Sequence, residues 1–133
     1  MSNIMAAIGI EQLKKIDKFK KKKQDLCKRY KTNLDNLVGI KLLHTDFTNI
    51  NPHIFVIVLD DFIDRQNLVE YLEANNVQTG IHYKPNHQLK MYRTQFKLSQ
   101  TESISQRILS LPLHYDLTFD NVDYISMLIK KYI

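Results

Sequence analysis

Glycine and cysteine are both scarce in this sequence, and their scarcity excludes several kinds of site. Only three glycines occur, Gly9, Gly39 and Gly80, and they lie too far apart to form a glycine-rich phosphate-binding loop. The single cysteine, Cys27, excludes an internal disulfide and a cysteine-rich zinc site. Because Cys27 falls within an apolar helical spacing, we expect a buried structural thiol rather than a nucleophile.

Long apolar runs are missing as well. No stretch approaches the roughly eighteen apolar residues that a membrane-spanning helix needs, and the first residues lack the basic-then-apolar order of a signal peptide. We therefore expect a cytoplasmic protein with no membrane partner. A length of 133 residues, of which 44% are hydrophobic and 25% charged, is typical of one globular domain, residues 1–133, with a single core.

Positive charge is concentrated near the N-terminus. Residues 1–31 contain ten Lys and Arg against three Asp and Glu, a net charge of +7, whereas residues 32–133 contain nine against eleven, a net charge of −2. Apolar residues recur every three positions from Ile10 to Phe19, which predicts one helix of about 28 residues with the lysines mostly on its other face. We favour a solvated basic face, because KFKKKK, residues 18–23, has almost no aromatic or arginine residue interleaved with its lysines. Nucleic acid is not the expected partner. The alternative is a stand-alone basic binding module that contacts a polyanion through this helix.

The beginning of this helix differs from the rest. Ser2 or Asn3 is the expected N-cap. From Ile4 to Ile8 the sequence IMAAI is apolar on every side, and a helix that is apolar all round has to be buried all round. We name this segment the apolar tip, and we expect Ile4, Met5 and Ile8 to pack against a partner subunit or a further domain.

Short predicted elements alternate after residue 31. HIFVIVLDD, His53 to Asp61, is typical of a central strand covered on both faces. Ser99 and Glu102 form a capping-box pattern that opens a helix with Ile104 and Ile108 turned inward. The remaining predicted elements are a strand over Val38–His44, a helix over Asp64–Asn76 ended by its asparagines, a strand over Val77–Tyr83, a buried extended piece over 109–114, and a last helix that starts at Thr118 with Val122, Ile125, Leu128 and Ile129 on one face. The predicted fold class is α/β: a small, mostly antiparallel sheet covered by helices in an α+β sandwich.

The stretch GIHYKPNHQLKMY, residues 80–92, contains the candidate binding residues. Alternation along a strand places Tyr83 on the core face, and Gly80 and His82 on the opposite face. A glycine beside an imidazole leaves room for another group to approach closely. His82 and His87 are five residues apart with no third ligand nearby, so no metal site is expected. On these residues alone, a histidine at the end of a strand is more often a hydrogen-bonding residue than a functional one.

Three segments resemble those of the DegT/DnrJ/EryC1/StrS sugar aminotransferases. MSNIMAAIGIEQLKKID is similar to the M-S-x-x-x-A-A-x-G-x-x-Q-L-x-x-L-D segment that opens the C-terminal domain of that family. TGIHYKPNHQLKMYR resembles T-G-I-H-Y-x-P-x-H-x-x-x-x-Y, and ILSLPLHYDLT resembles L-S-L-P-L-H-P-x-L-T, with Tyr115 where the family often has proline. The segments occur in the family's order and extend from the first residue to the last predicted helix.

The resemblance implies a fold-type-I, pyridoxal-phosphate-dependent transaminase that moves an amino group from glutamate to a keto group on a nucleotide-linked sugar. Such enzymes are homodimers with active sites built from both subunits. Residues 1–133 would be the small C-terminal, substrate-side domain, with an interdomain helix over 1–31 and an α/β part over 32–133. The large domain that binds pyridoxal phosphate, with its Schiff-base lysine, would precede them and is absent from this sequence. We therefore expect no catalytic or cofactor-binding residue in this chain and no activity from it alone.

The resemblance also implies a role for residues 80–92. The family's His-Tyr pair lies at the edge of the active-site cleft, near the diphosphate of the nucleotide-sugar. It assigns His82 and Tyr83 to substrate binding, with His87 and Tyr92 at flanking positions. An imidazole and a phenol both donate hydrogen bonds to phosphate oxygens. Because strand alternation separates the pair, we expect His82 in the cleft and Tyr83 in the core. The apolar tip would pack on the preceding domain or across the homodimer.

Overall fold

The computed structural model describes residues 2–92 and 94–133, so Met1 and Arg93 lie outside the described residues. Within these ranges the helices are α1 (Asn3–Leu13), α2 (Ile16–Leu34), α3 (Arg65–Ala74), α4 (Ser99–Arg107) and α5 (Phe119–Tyr132). The strands are β1 (Ile40–Leu42), β2 (Phe55–Leu59) and β3 (Ile108–Leu111), and single 3₁₀ turns cover Asn86–Gln88 and Lys90–Tyr92. The predicted α/β class is confirmed. No helix in the described ranges is long and apolar enough to cross a bilayer.

The sheet has the order β1-β2-β3, with both neighbouring pairs antiparallel. The expected central strand is therefore confirmed, since β2 pairs with β1 on one side and β3 on the other. Phe55, Ile57 and Leu59 are buried, while the alternate residues Val56 and Val58 are half-buried. One face of β2 thus contributes to the core, and coverage of the other face, which α4 contacts, is incomplete.

Helix α5 packs against other helices of the fold. It begins as predicted at Thr118, whose Oγ1 accepts a hydrogen bond from the Asn121 amide (3.1 Å), while Asn121 Oδ1 accepts one from the Thr118 amide (3.0 Å). The helix contacts both α2 and α3. Its four predicted inward residues are buried, and each contributes about 1.5–3 kcal/mol through removal of apolar surface from water. They are Val122, Ile125, Leu128 and Ile129.

The predicted N-terminal helix is present as two consecutive helices rather than one. Ser2 caps α1, since its Oγ accepts a hydrogen bond from the Met5 amide (3.4 Å). Lys14 and Lys15 keep right-handed helical dihedral angles, but the Lys15 amide bonds to the Gln12 carbonyl three residues back (3.0 Å). This tighter turn interrupts the four-residue spacing without reversing the chain. No residue of α1 is buried, whereas α2 contributes to the core and extends to Leu34. The interruption therefore separates an uncovered segment from a covered one.

The predicted strand over Val77–Tyr83 is wrong, because the backbone amide of Val77 bonds back to helix α3 and is not available for pairing in a sheet. Asn76 has a φ of 62°, and the Val77 amide bonds to the Leu72 carbonyl (2.9 Å). Together with the bond from the Asn76 amide to the Glu73 carbonyl (2.9 Å), this forms a Schellman-type helix end. Only Gly80 reaches the sheet, through an isolated antiparallel bridge. The expected stop at the asparagines is confirmed.

The start of α4 also differs from its prediction. Ser99 is the first helical residue, and the N-cap is Leu98, which has no side-chain cap. Glu102 Oε1 accepts a hydrogen bond from the Leu98 amide (3.1 Å). The glutamate thus bonds back to the amide of the N-cap residue, as in a capping box, but that residue is Leu98 instead of Ser99, and no serine side chain caps the helix. Ile104 is 44% exposed rather than inward, and Ile108 begins β3 because the helix ends at Arg107.

Candidate functional site

His82 is held against the sheet by Ser110 of β3. The Ser110 backbone exchanges two hydrogen bonds with Gly80, from the Gly80 amide to the Ser110 carbonyl (3.0 Å) and from the Ser110 amide to the Gly80 carbonyl (2.8 Å). Two residues later, His82 Nδ1 lies 3.0 Å from Ser110 Oγ. Ser110 is 5% exposed and His82 is half-buried. Backbone and side-chain contacts to one serine therefore fix the position of the imidazole.

Gly80 gives the His82 ring its space. A β-carbon at position 80 would overlap Cε1 of His82 and would come within 3.1 Å of both ring nitrogens. The sequence predicted that a group could approach closely beside this glycine. The group that does so is the His82 ring itself. Gly80 and His82 lie close together, as their two-residue spacing led us to expect, although no strand is formed here.

A cavity of about 770 Å³ opens beside this ring. It lies among the end of α3, the segment around Gly80, the residues that follow β3 and the first turns of α5. Its polar lining comes mainly from side-chain amides and imidazoles: Asn75, Asn76, Gln78, Asn121, His53, His82 and His114. None of the lining residues that the structure describes is Lys, Arg, Asp or Glu. The cavity therefore offers neutral hydrogen-bonding groups and no fixed charge.

His53 and His114 line this cavity but were not predicted as site residues. Each carried a signal in the sequence. His53 immediately precedes the apolar run of β2, and His114 ends the LSLPLH segment. What the sequence could not show is that the residues flanking β2 and β3 meet the His82 segment, because that depends on the strand order.

Tyr83 does not lie in the core, and that prediction is wrong. Its side chain is 72% exposed. Its ring contacts the His82 ring edge to face, with centroids 4.9 Å apart and planes at 78°, and the peptide bond between the two residues is cis. Alternation along a strand does not apply, since residues 81–85 form no strand. The phenol remains next to His82 and accessible from outside.

His87 and Tyr92 lie apart from the cavity. The His87 side chain is 11% exposed, and its Nε2 lies 3.0 Å from Glu102 Oε1. The hydrogen bond with His87, followed by that from the Leu98 amide, lowers the pKa of the Glu102 carboxyl. Tyr92 lies in the second 3₁₀ turn and is 59% exposed. Of the four predicted site residues, the structure thus places only His82 in the cavity lining.

The cavity does not fit pyridoxal phosphate as a resident cofactor. That group needs a lysine amine for covalent attachment and a carboxylate beside its pyridine nitrogen. Neither kind of side chain occurs among the cavity-lining residues within 2–92 and 94–133. The neutral amides and imidazoles fit hydrogen bonding to a polar ligand instead.

Comparison with known proteins relates this chain to one family. The profile of the DegT/DnrJ/EryC1/StrS aminotransferase family matches residues 1–130. DesI, solved in the presence of its TDP-sugar product, superposes with a TM-score of 0.85 at 26% identity over 98% of this chain and 35% of its own. Helicobacter pylori PseC, an aminotransferase involved in the biosynthesis of pseudoaminic acid, gives 0.84 at 24% identity, over 96% of this chain and 36% of its own.

A third solved structure has the same fold. The aminotransferase TlmJ from Streptoalloteichus hindustanus gives a TM-score of 0.81 at 22% identity, over 95% of this chain and 35% of its own. At that level of identity the likeness concerns the fold alone. The present chain spans about 35% of the length of these proteins.

Proposed function

Because the chain belongs to the DegT/DnrJ/EryC1/StrS aminotransferase family, we propose that it is the substrate-side, C-terminal domain of a pyridoxal-phosphate-dependent aminotransferase. The observation that carries this proposal is the family match over residues 1–130. The substrate is a nucleotide-linked keto sugar and the amino donor is glutamate. The superposition on DesI, solved with a TDP-sugar, supports a nucleotide-sugar as the ligand class. Residues 1–31 form the interdomain arm and residues 32–133 the small α/β domain.

In this proposal His82 binds the substrate directly. Its ring lines the cavity, and its Nε2 makes no hydrogen bond within the part of the chain that the structure describes. That nitrogen is available to donate to a phosphate oxygen of the nucleotide-sugar. The exposed Tyr83, whose ring contacts the His82 ring, carries a second hydrogen-bond donor. His87 and Tyr92 contribute from outside the cavity, and His87 acts through its bond to Glu102, which ties the first 3₁₀ turn to the start of α4.

The cofactor and the partner subunit belong to the proposal for the whole enzyme. The cavity of this chain does not fit pyridoxal phosphate, so we propose that a large domain holds it and supplies the amino-transfer chemistry. The apolar tip supports a packing role, because Ile4, Met5 and Ile8 are 73%, 57% and 52% exposed. We propose that it packs on that domain or across a homodimer in the cytoplasm.

An NMR titration with TDP-glucose tests the substrate proposal. We expect amide shifts around Gly80, His82 and Ser110 in the ¹⁵N-labelled chain, and binding at least about tenfold weaker in His82→Ala, because the hydrogen bond from the imidazole N–H to the charged phosphate is lost. His44→Ala is the matched control, since His44 is exposed and outside the cavity. Shifts confined to the lysines of α2 would instead favour a polyanion-binding module. Equal affinity in His82→Ala would contradict the role of His82.

An absorbance scan tests the view that this chain alone is catalytically incomplete. The purified chain is mixed with pyridoxal phosphate, scanned from roughly 300 to 500 nm, reduced with borohydride and dialysed. We expect no stoichiometric adduct on one lysine and no transamination, because no described lysine lines the cavity. One uniquely labelled lysine would overturn this view and identify a candidate active-site amine.

A further inference from the structure

The hydroxyl of Ser110 has one hydrogen-bond partner in the part of the chain that the structure describes. That partner is His82 Nδ1 at 3.0 Å. Ser110 is 5% exposed and is one of the residues that line the cavity. A serine hydroxyl carries a single hydrogen to donate, and buried donors in folded proteins are nearly always paired. Among the protein groups that the structure describes, Nδ1 of His82 is the acceptor within reach of the Ser110 hydrogen.

The protonation of one imidazole nitrogen determines that of the other. A neutral imidazole has one N–H, so a ring whose Nδ1 accepts a hydrogen bond carries its proton on Nε2. In the reverse arrangement, Nδ1–H would donate to Ser110 Oγ and the buried hydroxyl hydrogen would be left without a partner, which is costly. We infer that Ser110 is a positioning residue that holds His82 in the Nε2–H tautomer, so that a neutral His82 acts as a hydrogen-bond donor at the cavity.

Two further contacts make Ser110 suited to this task. Its backbone is fixed on both sides, by pairing with Val56 in the sheet and by the two hydrogen bonds to Gly80. The His82 ring in turn rests where a β-carbon at position 80 would be, so the ring and the hydroxyl share one fixed location. The orientation of the imidazole is therefore set before any ligand arrives.

The Nε2–H tautomer of His82 limits which ligand groups can bind beside it. A fixed Nε2–H donor selects a group that accepts a hydrogen bond, such as a phosphate oxygen, over a group that donates one, such as an amine. The tautomer follows from the contacts of Ser110 alone. Its use toward the diphosphate of a nucleotide-sugar rests on the proposed function.

Nitrogen-15 NMR of the histidine rings tests the tautomer directly. Two-bond ¹H–¹⁵N spectra of the labelled chain at about pH 8, where an ordinary imidazole is neutral, report which nitrogen carries the proton. The missing signals in His82→Gln assign the ring. We expect the Nε2–H form of His82 to exceed the Nδ1–H form by about tenfold, and the ratio to fall at least about threefold in Ser110→Ala.

Two variants separate positioning from a general effect on folding. Ser110→Thr keeps the hydroxyl and should restore the ratio. Ser126→Ala removes another buried hydroxyl, one that donates to the Val122 carbonyl of α5, and should leave the His82 ratio unchanged. A predominant Nδ1–H form in the unaltered chain, or an unchanged ratio in Ser110→Ala, would overturn the inference.

Addition of TDP-glucose to the same sample separates this inference from the proposed function. If the Nε2–H tautomer is found and TDP-glucose perturbs the Nε2 signal, the positioning role of Ser110 and the substrate proposal both stand. If the tautomer is found and saturating TDP-glucose leaves Nε2 unperturbed, the positioning by Ser110 stands and the substrate proposal fails. If the ligand binds at His82 but Nδ1 carries the proton, the substrate proposal stands and the role of Ser110 fails.

Discussion

Substitution of Gly80 by alanine measures how much the contact between His82 and Ser110 contributes to stability. The φ angle of Gly80 lies outside the left-handed region, so alanine can adopt the backbone conformation. The new β-carbon would overlap the His82 ring, and the ring has to move away from Ser110. The buried Ser110 hydroxyl then loses its partner, which costs about 1–3 kcal/mol. Reduced freedom of the unfolded chain offsets about 0.4–1 kcal/mol of this loss. We expect Gly80→Ala to lower the free energy of unfolding by about 1 kcal/mol.

Urea unfolding followed by circular dichroism provides the assay, and a double-mutant cycle with Ser110→Ala provides the stringent comparison. Once the Ser110 hydroxyl is absent, Gly80→Ala has no hydrogen bond left to break. The double variant should therefore lose about 1 kcal/mol less free energy of unfolding than the sum of the losses in the two single variants. Gly9→Ala is the control, because a β-carbon at position 9 meets no atom within 4 Å. The urea midpoint of this variant should not fall below that of the unaltered chain. Strictly additive losses, or a Gly80→Ala midpoint at or above that of the unaltered chain, would refute the reasoning.

Three further predictions concern other parts of the molecule. Hydrogen bonds from Arg29 and then Asn33 lower the pKa of Asp123 to about 2, so the stability that this carboxylate contributes is present above about pH 4 and is lost as the pH falls toward 2. The urea midpoint of the unaltered chain should therefore exceed that of Asp123→Asn at pH 7, and the difference should shrink as the pH falls through about 2; a constant difference would contradict the pairing. Burial raises the pKa of the Cys27 thiol to about 12, so a thiol reagent at pH 8 should label it only after denaturant is added, and prompt labelling of the folded chain would show that the thiol is accessible. Ile8→Lys should change the free energy of unfolding by less than about 0.5 kcal/mol while reducing self-association in analytical ultracentrifugation, because α1 buries no residue in this chain; a loss above about 1 kcal/mol would mean that the tip packs within it.

Local sequence signals predicted those parts of the fold that local contacts determine. Thr118 and Asn121 cap α5 within one turn, and the apolar run of β2 marks the central strand from its own composition. The predicted helix over Asp64–Asn76 begins within one residue of its expected start, because Asp64 is the N-cap of α3 and its Oδ1 accepts a hydrogen bond from the Asn67 amide (2.9 Å). Each of these features depends on residues a few positions apart, which is why periodicity and capping rules could identify them.

The errors arose where a group bonds to a partner that the local sequence patterns did not single out. The Val77 amide bonds back to α3, so the expected strand does not start there. Glu102 bonds to His87 and to the Leu98 amide, which shifts the start of α4 away from the Ser99 pattern. The contact between His82 and Ser110 spans 28 residues along the sequence, and only the sheet register brings the two together. Motif resemblance could single out His82, but not the serine that orients it.

The packing of α2 against α5 has a consequence for synthesis of the chain on the ribosome. Arg29 of α2 donates two hydrogen bonds of 2.7 Å to Asp123 of α5, although 94 positions separate them. Val122 and Ile129, both fully buried, reach the core from the same late helix. Until this segment has left the exit tunnel, the apolar face of α2 that packs on α5 has no cover, since domains complete their folding as whole units. A ribosome stalled before α5 would therefore carry a nascent chain exposed to chaperones and proteases, and folding would be completed only at the end of translation of this region.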